Sequence, residues 1–139
     1  MMKLFKRSVF FVLFSLSPLA FAEVAIIVNS GNSSEISDND IKRMFLGKNK
    51  TFSNGESVKA INLKSGNAIR KNFEKEVLGK SSSQVKAYWS KLIFSGKAKP
   101  LKEGASDSEV LNWVSSTPNA IGYIDASKVD DSVKVIKKL

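Results

Sequence analysis

Residues Glu23 to Asn29 read EVAIIVN, and no other stretch constrains the fold as strongly. Four of the five residues from Val24 to Val28 are β-branched, so the segment favours a strand. A strand with one wet face alternates apolar and polar residues. An unbroken run instead expects burial on both faces.

The segments that follow supply the cover. Ser30 to Ile36 is a polar Gly/Asn/Ser loop, and Ser37 then stands as a helix N-cap. Asp38 and Asp40 fall in the first turn, where carboxylates suit the helix dipole. Ile41, Met44 and Phe45 follow at helical spacing, and Gly47 stops the helix. Asn54-Gly55 marks a turn, and VKAINL (Val58 to Leu63) alternates like a strand. A helix is expected from about Asn67 through Leu78 to Gly79. Ser81 to Ser83 can cap another, whose Val85, Tyr88, Trp89, Leu92 and Ile93 form the clearest amphipathic stripe of the chain. Ser106 with Glu109 makes a capping-box pattern, and Val110, Trp113 and Val114 give that helix an apolar face. AIGYID (Ala120 to Asp125) and SVKVI (Ser132 to Ile136) are the last expected strands. Strands and helices alternate without repeats or an internal linker, which predicts one layered α/β domain.

The first 22 residues are not expected to join it. Lys3, Lys6 and Arg7 precede the apolar run Val9 to Leu16, and Ala20-Phe21-Ala22 ends it in a small-x-small pattern. This reads as a secretory signal peptide cleaved after Ala22, with a periplasmic domain over residues 23–139. The apolar run falls short of the roughly 20 residues of a membrane span. With no cysteine in the chain, neither a disulfide nor a lipidated thiol is available.

Zero histidine and zero cysteine also exclude the Ser-His-Asp and Cys-His machineries and the usual zinc sites. Two enzyme-like fragments have simpler readings. Ser83-Gln84-Val85-Lys86 matches S-x-x-K and Ser37-Asp38-Asn39 matches S-D-N, but their order is reversed and K-T-G is missing, so Ser83 reads as a helix cap. Asp38 and Asp40 lack the spacing of a calcium loop. No catalytic residue, metal or cofactor is expected. Trp89 and Trp113 are read as packing residues on apolar helix faces.

The whole chain carries a formal charge of +9, or +6 after the three basic leader residues are removed. Anionic partners are favoured in general. The lysines look spread out, with Lys134, Lys137 and Lys138 the only dense group, and few aromatics interleave with them. No specific nucleic-acid binding is expected.

One stretch does suggest an anion site. LKSGNAIRKNF (Leu63 to Phe73) runs from a strand end through Ser65-Gly66-Asn67 into a helix. Glycine permits close backbone approach, and a helix start offers free N–H groups. The candidate anion-binding residues are Ser65 (hydroxyl), Gly66 and Asn67 (N–H), with charge from Arg70 or Lys64. The bland alternative is a capped helix with Arg70 on its solvated face.

Several motifs, in order, resemble the short periplasmic proteins related to the phosphate-binding components of phosphate ABC importers. They are IKRMFLGK (Ile41 to Lys48), Asn54-Gly55, RKNF (Arg70 to Phe73), Ala87-Tyr88-Trp89, FSGK (Phe94 to Lys97) and PNAIGYI (Pro118 to Ile124). The resemblance implies one lobe of a type II periplasmic binding protein, with Ser65-Gly66 at the place of a phosphate-contacting Ser-Gly-Thr. Asn67 replaces the threonine. The family's arginine precedes that motif, where this chain has Asn62, Leu63 and Lys64, so Arg70 is a substitute by inference. It further implies a role in phosphate uptake or sensing, without chemistry on the ligand. A lone lobe leaves the site open, so a homodimer or a second lobe-bearing partner would be needed to close it. An envelope adaptor that has lost its ligand is the alternative.

Overall fold

The structure is a computed structural model that describes Val12 and residues 23–139. The expected signal peptide therefore lies outside the described residues, apart from Val12. Strands β1 (Val24–Asn29), β2 (Lys59–Leu63), β3 (Lys102–Gly104), β4 (Ala120–Asp125) and β5 (Val133–Lys138) form one mixed sheet in the order β3-β2-β4-β1-β5. β2 runs parallel to β3 and β4, whereas β1 runs antiparallel to β4 and β5.

Every residue of β1 is buried, as its apolar run demands. Helix α4 (Asp107–Ser116) covers one face, placing Val110 and Val114 over Gly122 and Ile61. The other face holds an aromatic cluster from α1 (Asp38–Phe45), α2 (Ala68–Phe73) and β4. Phe73 and Tyr123 stack with centroids 3.8 Å apart, and Phe45 meets both edge-on. These rings are among the largest fully buried side chains.

Local signals explain most boundaries. Ser37 caps α1 in a full capping box with Asp40. Asn29, at the end of β1, closes the C-terminus of α4 by donating from Nδ2 to the Val114 and Ser115 carbonyls at 3.0 and 3.1 Å. Four expectations need adjustment. The helix expected through Leu78 is α2 continued by a π-helical turn over Glu74–Leu78. Helix α3 (Ser82–Phe94) is capped by Ser81, which forms the box with Gln84, so Ser83 lies inside the helix and caps nothing. Glu109 accepts from the Ala105 N–H instead of that of Ser106, so only half of that box forms. β3 has the sequence KEG, which carries no strand signature and was not expected.

Helix α3 is also less covered than its stripe predicts. Val85 is its only buried residue. Trp89 is half-buried, Ile93 is 41% exposed and Phe94 is 97% exposed. Three contacts pin the helix. Ser82 Oγ donates to Glu74 Oε1 at 2.8 Å, the Tyr88 hydroxyl donates to the Leu46 carbonyl at 2.7 Å, and the Trp89 ring lies over Gly47. Among the described residues no helix is long and apolar enough to cross a membrane.

Candidate anion site at the carboxyl end of β2

The β2–β4 pairing runs only through Lys59↔Ala120 and Ala60↔Ile121. Beyond it the Tyr123 side chain takes over. Its hydroxyl accepts the Leu63 N–H at 3.3 Å and donates to Asn62 Oδ1 at 2.9 Å. Burial pushes the phenol above its usual value of 10, against a smaller opposing effect of the Arg70 charge. A buried phenol that donates and accepts within the protein is held neutral.

A groove of about 350 Å³ opens beside this strand end, bounded by α3 and the loop entering β3. Its polar lining includes Asn62, Ser65, Arg70, Ser82 and Glu103. In open α/β sheets, ligands settle outside the carboxyl ends of strands, and the groove occupies that position.

The turn itself is built as its sequence suggests. Gly66 adopts φ 88°, which L side chains rarely take up. Asn67 caps α2, its Oδ1 accepting the Ile69 and Arg70 N–H groups at 2.8 and 3.3 Å. The Asn67 N–H donates to the Lys64 carbonyl at 3.1 Å. Oδ1 thus occupies two N–H groups that an anion could have used, and the Asn67 N–H is itself spent inside the turn, which leaves the Nδ2 amide as the donor Asn67 can offer. Among the described residues no hydrogen bond engages the Gly66 N–H. Lys64 is exposed, and its backbone N–H is paired with the Gly104 carbonyl. Ser65 and Arg70 line the groove, while Lys64, Gly66 and Asn67 lie on the turn beside it.

Arg70 does not stand on a solvated face. Its side chain is 12% exposed, and Nη1 donates to the Leu63 carbonyl at 2.9 Å and to Glu103 Oε1 at 3.1 Å. Nε faces Glu74 Oε2 at 3.5 Å, and the Glu74 carboxylate is itself buried. The guanidinium therefore ties α2 to β2 and β3, with two carboxylates sharing its charge. The Arg70/Glu74 pair has the i,i+4 spacing that sequence can reveal. Glu103 lies 33 residues further on in an unrecognised strand, and no local pattern points to it.

No protein-family model matches the chain, and no curated protein does. Solved structures do match it. The chain is similar to an ABC-type phosphate transport receptor from Vibrio cholerae, with 19% identity, a TM-score of 0.64, and coverage of 84% of this chain and 46% of that one. It is similar to a possible phosphate binding protein from Planctomyces limnophilus, with 14% identity, a TM-score of 0.62, and coverage of 84% and 42%. PstS from Borrelia burgdorferi matches with 15% identity, a TM-score of 0.60, and coverage of 83% and 47%. The fold is thus a mixed α/β domain matching one lobe of such a substrate-binding protein. The chain spans less than half the length of each of these structures.

Proposed function

We propose that this chain is an exported, non-enzymatic solute-binding-like protein that captures phosphate or a related oxyanion weakly, in connection with ABC-type phosphate uptake or sensing. One observation carries the reading. On a lobe shared with phosphate-transport proteins, Ser65 and Arg70 converge on the groove at the carboxyl end of β2. The Ser65 hydroxyl and the Gly66 N–H are the donors nearest the turn, and Arg70 or Lys64 supplies charge.

The same geometry argues for low affinity. Micromolar binding needs about −8 kcal/mol. A few charge-assisted hydrogen bonds at roughly 1.5–3 kcal/mol each are offset by several kcal/mol of immobilisation. The Asn67 cap takes up the Ile69 and Arg70 N–H groups that the helix start would otherwise offer, and an oxyanion reaching Arg70 meets Glu103 as a like charge. A lone lobe then binds at roughly millimolar levels unless a second copy or another lobe closes over it.

The test is the melting temperature of residues 23–139 in rising phosphate at fixed ionic strength, with sulfate as control. A saturable, phosphate-specific rise that Ser65→Ala removes supports the reading. No rise at phosphate concentrations far above millimolar rejects it. The second reading, an envelope adaptor without a ligand, is favoured by the charge balance at Arg70, which Glu74 and Glu103 already provide.

A further inference from the structure

The net charge of the folded part is carried by one segment. Residues 23–139 hold 19 basic and 13 acidic side chains. Residues 77–102 contribute six lysines and no acid, which leaves thirteen of each sign elsewhere. Linear spacing hides this, because Lys80, Lys86, Lys91, Lys97, Lys99 and Lys102 are two to six positions apart. In the fold they decorate a single unit, α3 with its exit into β3.

That unit also bears the apolar surface that the domain leaves uncovered. Val85, Trp89, Ile93, Pro100 and Leu101 line the groove, and Lys86 lines it with them. Lys99, next to Pro100, lines the adjoining cavity beside Trp89 and Leu101, whereas Lys102 lies over the Trp113 ring of α4. Contiguous apolar surface rimmed by charge marks interaction sites more often than single exposed residues do.

From this arrangement we infer that the groove between α3 and the ends of β2 and β3 docks an acidic polypeptide segment carrying a large apolar anchor side chain. The anchor fills the space between Trp89, Ile93 and Leu101. Carboxylates flanking it meet Lys86 and Lys99 on the α3 side, with Glu103 a like charge on the β3 side. The Ser90 hydroxyl offers a hydrogen bond at the groove wall, the Ser82 proton being given to Glu74. Charge complementarity of this kind sets partner choice and association rate, while the buried anchor supplies most of the affinity.

Two other occupants fit less well. A second copy docked by two-fold symmetry sets the groove-side lysines of one copy against those of the other, a like-charge contact that costs free energy. A bilayer requires a projecting apolar face. Here Val85, Trp89 and Leu101 are recessed, Ile93 is only partly exposed, and on α3 Phe94 is the side chain that stands clear of the surface. The inference extends the adaptor reading. Its readout is peptide capture and not stabilisation by phosphate, so the two can fail separately.

The experiment is selection of a displayed random library of peptides about 12 residues long against residues 23–139 at low salt. Enriched peptides are expected to combine Asp or Glu with Trp, Phe or Leu. Ile93→Asp is expected to weaken the best of them at least about tenfold. The Lys86→Glu/Lys99→Glu double variant should do so too and should flatten the salt dependence. These positions are exposed, so thermal melts should show the variants folded, and Trp89→Ala adds a third variant at the groove wall. The inference is overturned by absence of enrichment, by enriched peptides without acidic residues, or by capture indifferent to all three variants. Sedimentation with vesicles of anionic phospholipid, sensitive to the same variants where no peptide is captured, overturns it in favour of a membrane surface.

Discussion

Arg70 Nη1 lies 3.1 Å from Glu103 Oε1, joining the first turn of α2 to the edge strand β3. The two are not equally placed. Arg70 is held from three sides, whereas the Glu103 side chain is 49% exposed and can swing toward solvent. Glu103 is thus the natural competitor of any oxyanion approaching Arg70.

Glu103→Gln should therefore strengthen phosphate binding severalfold, since an exposed ion pair is worth up to about 1 kcal/mol. Stability should fall by no more than about 1 kcal/mol, the worth of that pair. Phosphate titrations followed by melting temperature measure both. An unchanged or weaker phosphate response would separate Arg70 from anion capture.

Tyr123→Phe should destabilise the domain by about 1–3 kcal/mol, because the buried Leu63 N–H and Asn62 Oδ1 both lose their partner. Urea unfolding at neutral pH gives the number. A value near zero would mean that water replaces the hydroxyl.

The same residue sets an alkaline limit. Its folded-state pKa is raised, so above pH 10 the unfolded chain releases the phenolic proton while the folded chain keeps it. The stability from this group is whole below pH 10 and declines as pH rises from there toward the folded-state value. Tyrosinate absorbance should show one of the two tyrosines titrating only with unfolding. The Phe variant should lose stability less steeply with pH.

Gly122→Ala is a test of close packing under α4. A Cβ there would lie 2.8 Å from Ile61 Cγ2 and 2.9 Å from Val110 Cγ1. Replacing strand glycine usually helps by reducing unfolded-state freedom. Overpacking should win, at a net cost of about 1–3 kcal/mol. A stabilised variant would show that α4 can lift away from the sheet freely.

Asn29→Ala should cost about 1–3 kcal/mol by removing the Nδ2 donor to the Val114 and Ser115 carbonyls, leaving Val114 only the longer bond from the Thr117 N–H at 3.4 Å. Asn29→Asp keeps the size but sets a carboxylate against the negative end of α4, and should cost at least as much. Thermal melts of the pair compare the lost donor with the added charge.

Much of this fold could be read from residue patterns. The doubly buried β1, the Ser37 cap and the turns at Gly47 and Gly55 follow from local chemistry, and they stand where expected. β3 was invisible because an edge strand of Lys-Glu-Gly is specified by its neighbours and not by its own propensity. The stripe on α3 was legible as a helix and misleading as core, since periodicity reports which residues share a face but not whether anything covers it. At the site, the Ser65-Gly66-Asn67 turn and the Arg70/Glu74 pair are local and readable. Asn62, Glu103 and Tyr123 come together only through the sheet, up to 61 residues apart in sequence.

The position of β1 has a consequence for the order in which the domain can form. The first strand sits between the last two, pairing with residues 121–125 and 133–138. Emerging from a ribosome, β1 therefore waits with both edges unpaired until residues 121–138 have followed it. Closure of the sheet is a late event with high contact order, and folding should be slow beside that of a helical bundle of the same length.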